Sequence, residues 1–337
     1  MKTIIQNSQT YRLPGALNAF QQSLYLHLIN WKWAHITREP GWARDNLYDA
    51  ILPEEYAGKY PMLYPAIRPA LESHLQKFPF RIHKYFNHMA SSQAANLNLF
   101  LPVLHSPQAA AILATIKPDI ARIATDHLDK GYRIEFWDEP FGNLGDKTDV
   151  SGTDSDIAIA YYNHQGELCL WLIEHKLTEA EFTTCGGFKS RGRQVRHDCR
   201  QPFSVILSDK NTCYYHDARG FNYWNITESN QGFFPGHARH AQCPFQGGTN
   251  QLWRNQLLAL SIEQDERQPY RQVTFSVVKH PRNTALDVSL AEYRGLIGDT
   301  SRFSVFTSED VLRAASDLRD PELGHWIDWY RDLYAIA

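Results

Sequence analysis

Two apolar runs separated by a four-residue turn constrain this chain more than any other feature. Ile157-Ala158-Ile159-Ala160-Tyr161-Tyr162 and Leu168 to Ile173 each read as a strand, and Asn163-His164-Gln165-Gly166 between them has the composition of a hairpin turn. The second run closes on Glu174-His175-Lys176, and Asp156 stands at the head of the first, eighteen positions before Glu174. Side chains alternate faces along a strand, so Glu174 and Lys176 share one face and His175 takes the other. Cys169, Trp171 and Ile173 then lie opposite Glu174, which makes Cys169 a core residue. A hairpin folds Asp156 back beside Glu174. Two carboxylates and an ammonium on one sheet face repel, or waste desolvation free energy, unless they share a partner. A divalent metal with a phosphate is the natural partner, and the pattern points to a metal-dependent nuclease.

Bulk composition narrows the alternatives. The 34 Lys+Arg against 37 Asp+Glu in 337 residues give a formal charge of −3, so a basic surface for nucleic acid has to be local. Nine Trp and 13% aromatic residues suit a well-packed globule. No apolar run reaches the roughly 20 residues of a transmembrane helix. The start, Met1-Lys2-Thr3-Ile4-Ile5-Gln6-Asn7, turns polar too soon for a secretory signal, and a cytoplasmic protein is expected. Five Cys in a long chain of this kind suit reduced thiols or a metal site better than a disulfide framework.

Periodicity predicts a helical N-terminal region over residues 1–127, with helices at Ile67 to Lys77, Phe86 to Leu104 and Gln108 to Leu128, the last broken at Pro118. Residues 128–337 form the core that carries the chemistry. Its strands are Tyr132 to Trp137, the hairpin, Val273 to Val278 and Arg302 to Phe306. Helices are expected at Asn250 to Ile262, with Thr249 or Asn250 as cap, at Ser289 to Ile297, from Glu309 onward behind a Thr307/Asp310 capping box, and at Leu323 to Ala335. Between them, 178–248 shows little periodicity. Roughly seventy such residues are too many for a bare loop, so something has to staple them.

The ordered set Asp156, hairpin, Glu174-His175-Lys176 resembles the PD-(D/E)XK nuclease superfamily, and within it a group of bacterial restriction endonucleases. Ser91-Ser92-Gln93-Ala94 with Asn98-Leu99-Phe100, Ser155-Asp156-Ile157-Ala158, Ile173 to Glu179, Cys185-Gly186-Gly187 and Gln251 to Leu257 carry the likeness over roughly residues 85–315. The resemblance implies an α/β, restriction-endonuclease-like fold with a mixed central sheet flanked by helices. It also implies DNA as substrate and Asp156 and Glu174 as ligands of Mg²⁺ (or Mn²⁺), with the His175 carbonyl as a further ligand. Lys176 would orient the attacking water or stabilise the transition state. The family pattern has Pro or a similar residue before the Asp, and here Ser155 stands there; Asp154, on the same strand face, is the alternative ligand. Glu135 is a candidate additional carboxylate, with a solvated strand residue as the plainer reading. Gln251, Arg254 and Asn255 share one helix face. Gln251 is assigned to the catalytic site and Arg254 to nucleic-acid contact, against the simpler reading of an exposed polar side. A protein that kept the fold and binds DNA without cutting is the alternative function, and a homodimer is left open.

Cys185, Cys199, Cys213 and Cys243 all fall in the aperiodic segment, separated by 13, 13 and 29 residues. No Cys-x-x-Cys knuckle occurs. Four thiols there suit a structural Zn²⁺, with an Fe–S cluster as second choice and unligated buried Cys as the third reading. The same segment holds Lys189, Arg191, Arg193, Arg196 and Arg200 against Asp198, a basic stretch suited to clamping phosphates beside the metal. Tyr214, Tyr215, Tyr223 and Trp224 read as core residues before base-stacking ones.

Overall fold

The structure is a computed structural model that describes residues 1–148, 152–189, 197–298 and 300–337. Ten strands occur among these residues. β1 (Lys2–Gln6) and β2 (Gln9–Leu13) form one hairpin, and β3 (Gly41–Ala43) and β4 (Asn46–Tyr48) another. The central sheet takes the rest: β5 (Ile120–Ile123), β6 (Tyr132–Phe136), β7 (Ser155–Asn163), β8 (Leu168–Lys176), β9 (Gln272–Lys279) and β10 (Phe303–Thr307). Its order is β10-β9-β8-β7-β5, and β6 also pairs with β7. The β7–β8 hairpin is antiparallel, whereas β8–β9 and β9–β10 are parallel, which makes the sheet mixed. Helices flank it on both faces, the α/β arrangement expected of a restriction-endonuclease-like chain.

Period-two alternation sorts the hairpin residues between two cores. Ile157, Ile159, Tyr161, Cys169, Trp171 and Ile173 pack against the Ser92–Leu104 helix and the N- and C-terminal helices. Ala158, Ala160, Leu170 and Leu172 face the Thr249–Gln264 helix and the aromatic residues of the aperiodic segment. Cys169 is buried in the first of these cores. At the turn, Gly166 adopts φ +78°, and the Asn163 side chain accepts from the Gln165 and Glu167 N–H groups, closing the loop locally.

Several boundaries differ from the sequence reading. The helix expected over Gln108 to Leu128 stops at Ala114, and Ile120–Ile123 is instead a strand paired with β7. The sheet thus draws on a stretch read as mostly helical. The helix placed from Phe86 begins at Ser92, where Ser91 Oγ accepts the Ala94 N–H. Neither Thr249 nor Asn250 caps the Thr249–Gln264 helix; their side chains turn back to the Pro244 and Phe245 carbonyls. The Thr307/Asp310 capping box forms as expected.

The aperiodic segment is built of short helices, among them Phe203–Ser208 and Tyr223–Ser229, held by an aromatic cluster. Phe245 stacks flat on Trp253 with centroids 4.1 Å apart, and Trp224 sits 5.2 Å from Trp253. Part of the staple is therefore hydrophobic, and Tyr223 and Trp224 are core residues.

Candidate active site

The strand registers bring three carboxylates level. Ile157 pairs with Ile173 across β7–β8, so the next step sets Asp156 beside Glu174. Ile134 pairs with Ile157 and Phe136 with Ser155 across β6–β7, which sets Glu135 on the other side of Asp156. Like charges directly opposite each other destabilise a sheet. Ser155 Oγ donates to the Ile173 carbonyl at 2.9 Å, tying the two strands at this level.

Each acid is held differently. Asp156 Oδ2 accepts the His175 N–H at 2.6 Å. Burial and the charges of Glu174 and Glu135 push its carboxyl well above the usual range, against the opposing pull of Lys176. Glu174 is buried and fully engaged. Its Oε1 takes Lys176 Nζ at 2.8 Å and Gln251 Nε2 at 2.6 Å, and its Oε2 takes Asn255 Nδ2 at 2.9 Å. Burial works against the Lys176 charge, yet Glu174, Glu179 and Asp156 outweigh it and hold the ammonium above its ordinary pKa. Glu135 is not on an open strand. It is half-buried, and Gln93 Nε2 donates to it at 2.7 Å. Burial, then Asp154 and Glu174, raise its pKa to about 8. Its backbone sits at φ +49°, a left-handed conformation uncommon for a residue other than Gly and concentrated at functional sites.

These groups line a cleft of about 1190 Å³, with Glu135, Asp154, Asp156, Glu174, Lys176 and Gln251 on one wall. Asp154, the alternative ligand, is turned to Lys147 at 3.2 Å. Arg254 also lines the cleft, beside Tyr223, Asp146 and Tyr215, whose opposing influence keeps its guanidinium charged despite burial. His175 points to the other core; burial and the Lys176 and His280 charges depress its pKa to about 3.

The sequence-assigned Asp156, Glu174, Lys176 and Gln251 therefore meet at one end of the hairpin. The side chains of Lys189, Arg191, Arg193 and Arg196 lie outside the described residues. Asn255 escaped assignment although its i,i+4 spacing from Gln251 was visible, and exposed Arg81, Lys84 and Arg219 on the cleft went unnoticed. Gln93 gave no signal beyond its place in a shared motif.

A hard divalent ion suits the donor set, because positive charge offsets the burial and the neighbouring charges that raise Asp156 and Glu135. Among the described residues, no three His, Cys, Asp or Glu side chains stand close enough together to hold an ion without adjustment. Asp156 and Glu174 could serve as two ligands, with backbone and water oxygens completing the shell. No helix among the described residues is long and apolar enough to cross a membrane.

Comparison with known families finds a match. A family described as restriction endonuclease associating with ARP covers residues 30–335, nearly the whole chain. No curated protein and no solved structure matches.

Proposed function

The chain belongs to the family of restriction endonucleases associating with ARP, and from that premise we propose that it hydrolyses DNA phosphodiester bonds, in restriction or defence, with Mg²⁺ (or Mn²⁺) held by Asp156 and Glu174. The observation that carries this reading is the level row Glu135–Asp156–Glu174 with Lys176 at 2.8 Å from Glu174, opening on a cleft. The likeness to the PD-(D/E)XK pattern assigns these positions the same roles.

When bound, the ion lowers the pKa of a coordinated water and offsets charge on the phosphoryl oxygens. The protein's own residues do the rest. Gln251 and Asn255 each hold one oxygen of Glu174, which fixes the carboxylate plane. Lys176, kept charged, stabilises negative charge building on the phosphate in the transition state. Burial and the neighbouring Asp154 and Glu174 favour the protonated form of Glu135, and positive charge entering the row would favour its carboxylate instead. Exposed Arg81, Lys84 and Arg219 contact the DNA backbone, joined by the basic stretch around Arg191 and Arg193.

The test is incubation of the purified chain with plasmid and oligonucleotide substrates in Mg²⁺, Mn²⁺ or EDTA. The wild type is expected to cut only with metal, and Asp156→Asn and Glu174→Gln to show no cutting above the EDTA background while remaining folded. Cutting by both variants at the wild-type rate would reject the site. Tight DNA binding by the wild type with no cleavage in any metal would point to the non-catalytic alternative.

A further inference from the structure

Away from the cleft floor, the four cysteines of the aperiodic segment are brought into one neighbourhood by the backbone. Cys185 N–H donates to the Gln246 carbonyl at 3.1 Å, and Cys243 N–H to the Cys199 carbonyl at 3.2 Å. Asp198 N–H donates to the Thr212 carbonyl at 3.1 Å, which draws Cys199 towards Cys213, and the Gln246 side chain bonds the Cys199 carbonyl as well. As a result Cys243 lies within electrostatic reach of Cys185, Cys199 and Cys213 together. All five cysteines of the chain stand outside any disulfide.

A backbone N–H group points at one of these sulfurs: Cys185 Sγ accepts from the Phe188 N–H at 3.3 Å. An N–H donor two or three residues on favours a thiolate over a thiol. Burial acts in the opposite direction, lifting Cys185 to about 11 and holding Cys243 well above the ordinary thiol range. His197 adds a buried imidazole nearby, its Nε2 fixed by Asp217 at 2.7 Å and its Nδ1 without a hydrogen-bond partner.

We propose that Cys185, Cys199, Cys213 and Cys243 bind a thiophilic metal centre as thiolates, the shared chemistry of a single Zn²⁺ and of an iron–sulfur cluster. Binding releases the thiol protons, so affinity falls as pH falls. The sulfurs are not close enough to hold one ion as they stand. A single ion therefore requires one or more of the four side chains to change rotamer, while a cluster would accept sulfurs held further apart. The centre would also brace the active cleft. Next to Cys185, Gly186 N–H donates to Tyr215 Oη at 2.9 Å and Thr183 N–H to Gln251 Oε1 at 3.0 Å, and both partners line the cleft.

The experiment is elemental analysis of the untagged full chain purified without oxygen, together with acid-labile sulfide and a visible spectrum. About one zinc per chain, or several irons with matching sulfide and visible charge-transfer absorption, is the supporting result and tells the two sources apart. Cys213→Ser with Cys243→Ser should lower metal content at least tenfold and lower the melting temperature. If that variant is insoluble, the wild type decides alone: releasing its metal with chelator should destabilise it and restoring the metal should reverse the loss. Folded wild-type chain carrying less than about a tenth of a metal per chain, of either kind, would overturn the proposal. Neither outcome depends on whether the chain cuts DNA.

Discussion

Replacing Lys176 by Met tests the electrostatic account of the site without reference to cleavage. Lys176 Nζ lies 2.8 Å from Glu174 Oε1, with the two side chains 10% and 7% exposed. Methionine keeps an unbranched apolar stem, so the change is chiefly the loss of charge. Removing one partner of a buried pair costs about 3–5 kcal/mol, because the other charge is left uncompensated. Here the partner left behind is Glu174, with Asp156 and Glu135 beside it, and a loss within that range is expected. Against a total stability of about 5–15 kcal/mol, this is a large fraction. The pH dependence follows from the directions of the shifts. Lys176 is held above its ordinary pKa, so its contribution is complete through the neutral range. Asp156 and Glu135 are raised, so in the variant they take up protons as pH falls and relieve their own repulsion. The deficit of Lys176→Met should therefore shrink between about pH 8 and about pH 5. Added Mg²⁺ near pH 8 should shrink it too, by supplying the missing positive charge. Guanidinium unfolding followed by tryptophan fluorescence, at both pH values with and without Mg²⁺, reads all of this. A deficit that is equal at both pH values and indifferent to Mg²⁺ would refute the reasoning, since lost packing alone behaves that way.

Asn255→Leu, at a position 1% exposed, removes the donor to Glu174 Oε2 and should raise the Mg²⁺ needed for cleavage about 10- to 100-fold while circular dichroism stays native. An unchanged Mg²⁺ titration would mean that Glu174 is oriented without it. Glu135 predicts a slope in metal-free stability. The unfolded chain loses this proton near the ordinary 4.5 and the folded chain near about 8, so stability should fall as pH rises through that window. Glu135→Gln should flatten the slope in thermal melts, and an identical slope in the variant would place the titration elsewhere.

The hairpin was legible because its signals are local. Alternation over Ile157 to Tyr162, a turn ending in Gly166 and charges closing an apolar run all lie within about twenty residues. Ile120–Ile123 was not legible for the opposite reason. It is four residues long, contains Arg122, and becomes a strand by pairing with Tyr161 to Asn163 some forty positions away. Glu135, named as a candidate but read first as a solvated strand residue, was obscured in the same way. Its neighbours alternate like any half-solvated strand, and nothing in Tyr132–Phe136 announces that Gln93, 42 positions earlier, covers it or that its own φ is left-handed.

The helix at Thr249–Gln264 shows where such reading stops. Spacing alone placed Gln251 and Asn255 on one face, and a polar face on an amphipathic helix ordinarily meets water. What reverses the inference is a parallel pairing, β8 with β9, that sets this helix over the Glu174 end of the hairpin. Each amide then reaches a different oxygen of one carboxylate. A charge at the end of an apolar run is conspicuous because it breaks a local pattern; the neutral amides that orient it break none. The charges of a candidate site are thus easier to find in a sequence than the residues that aim them.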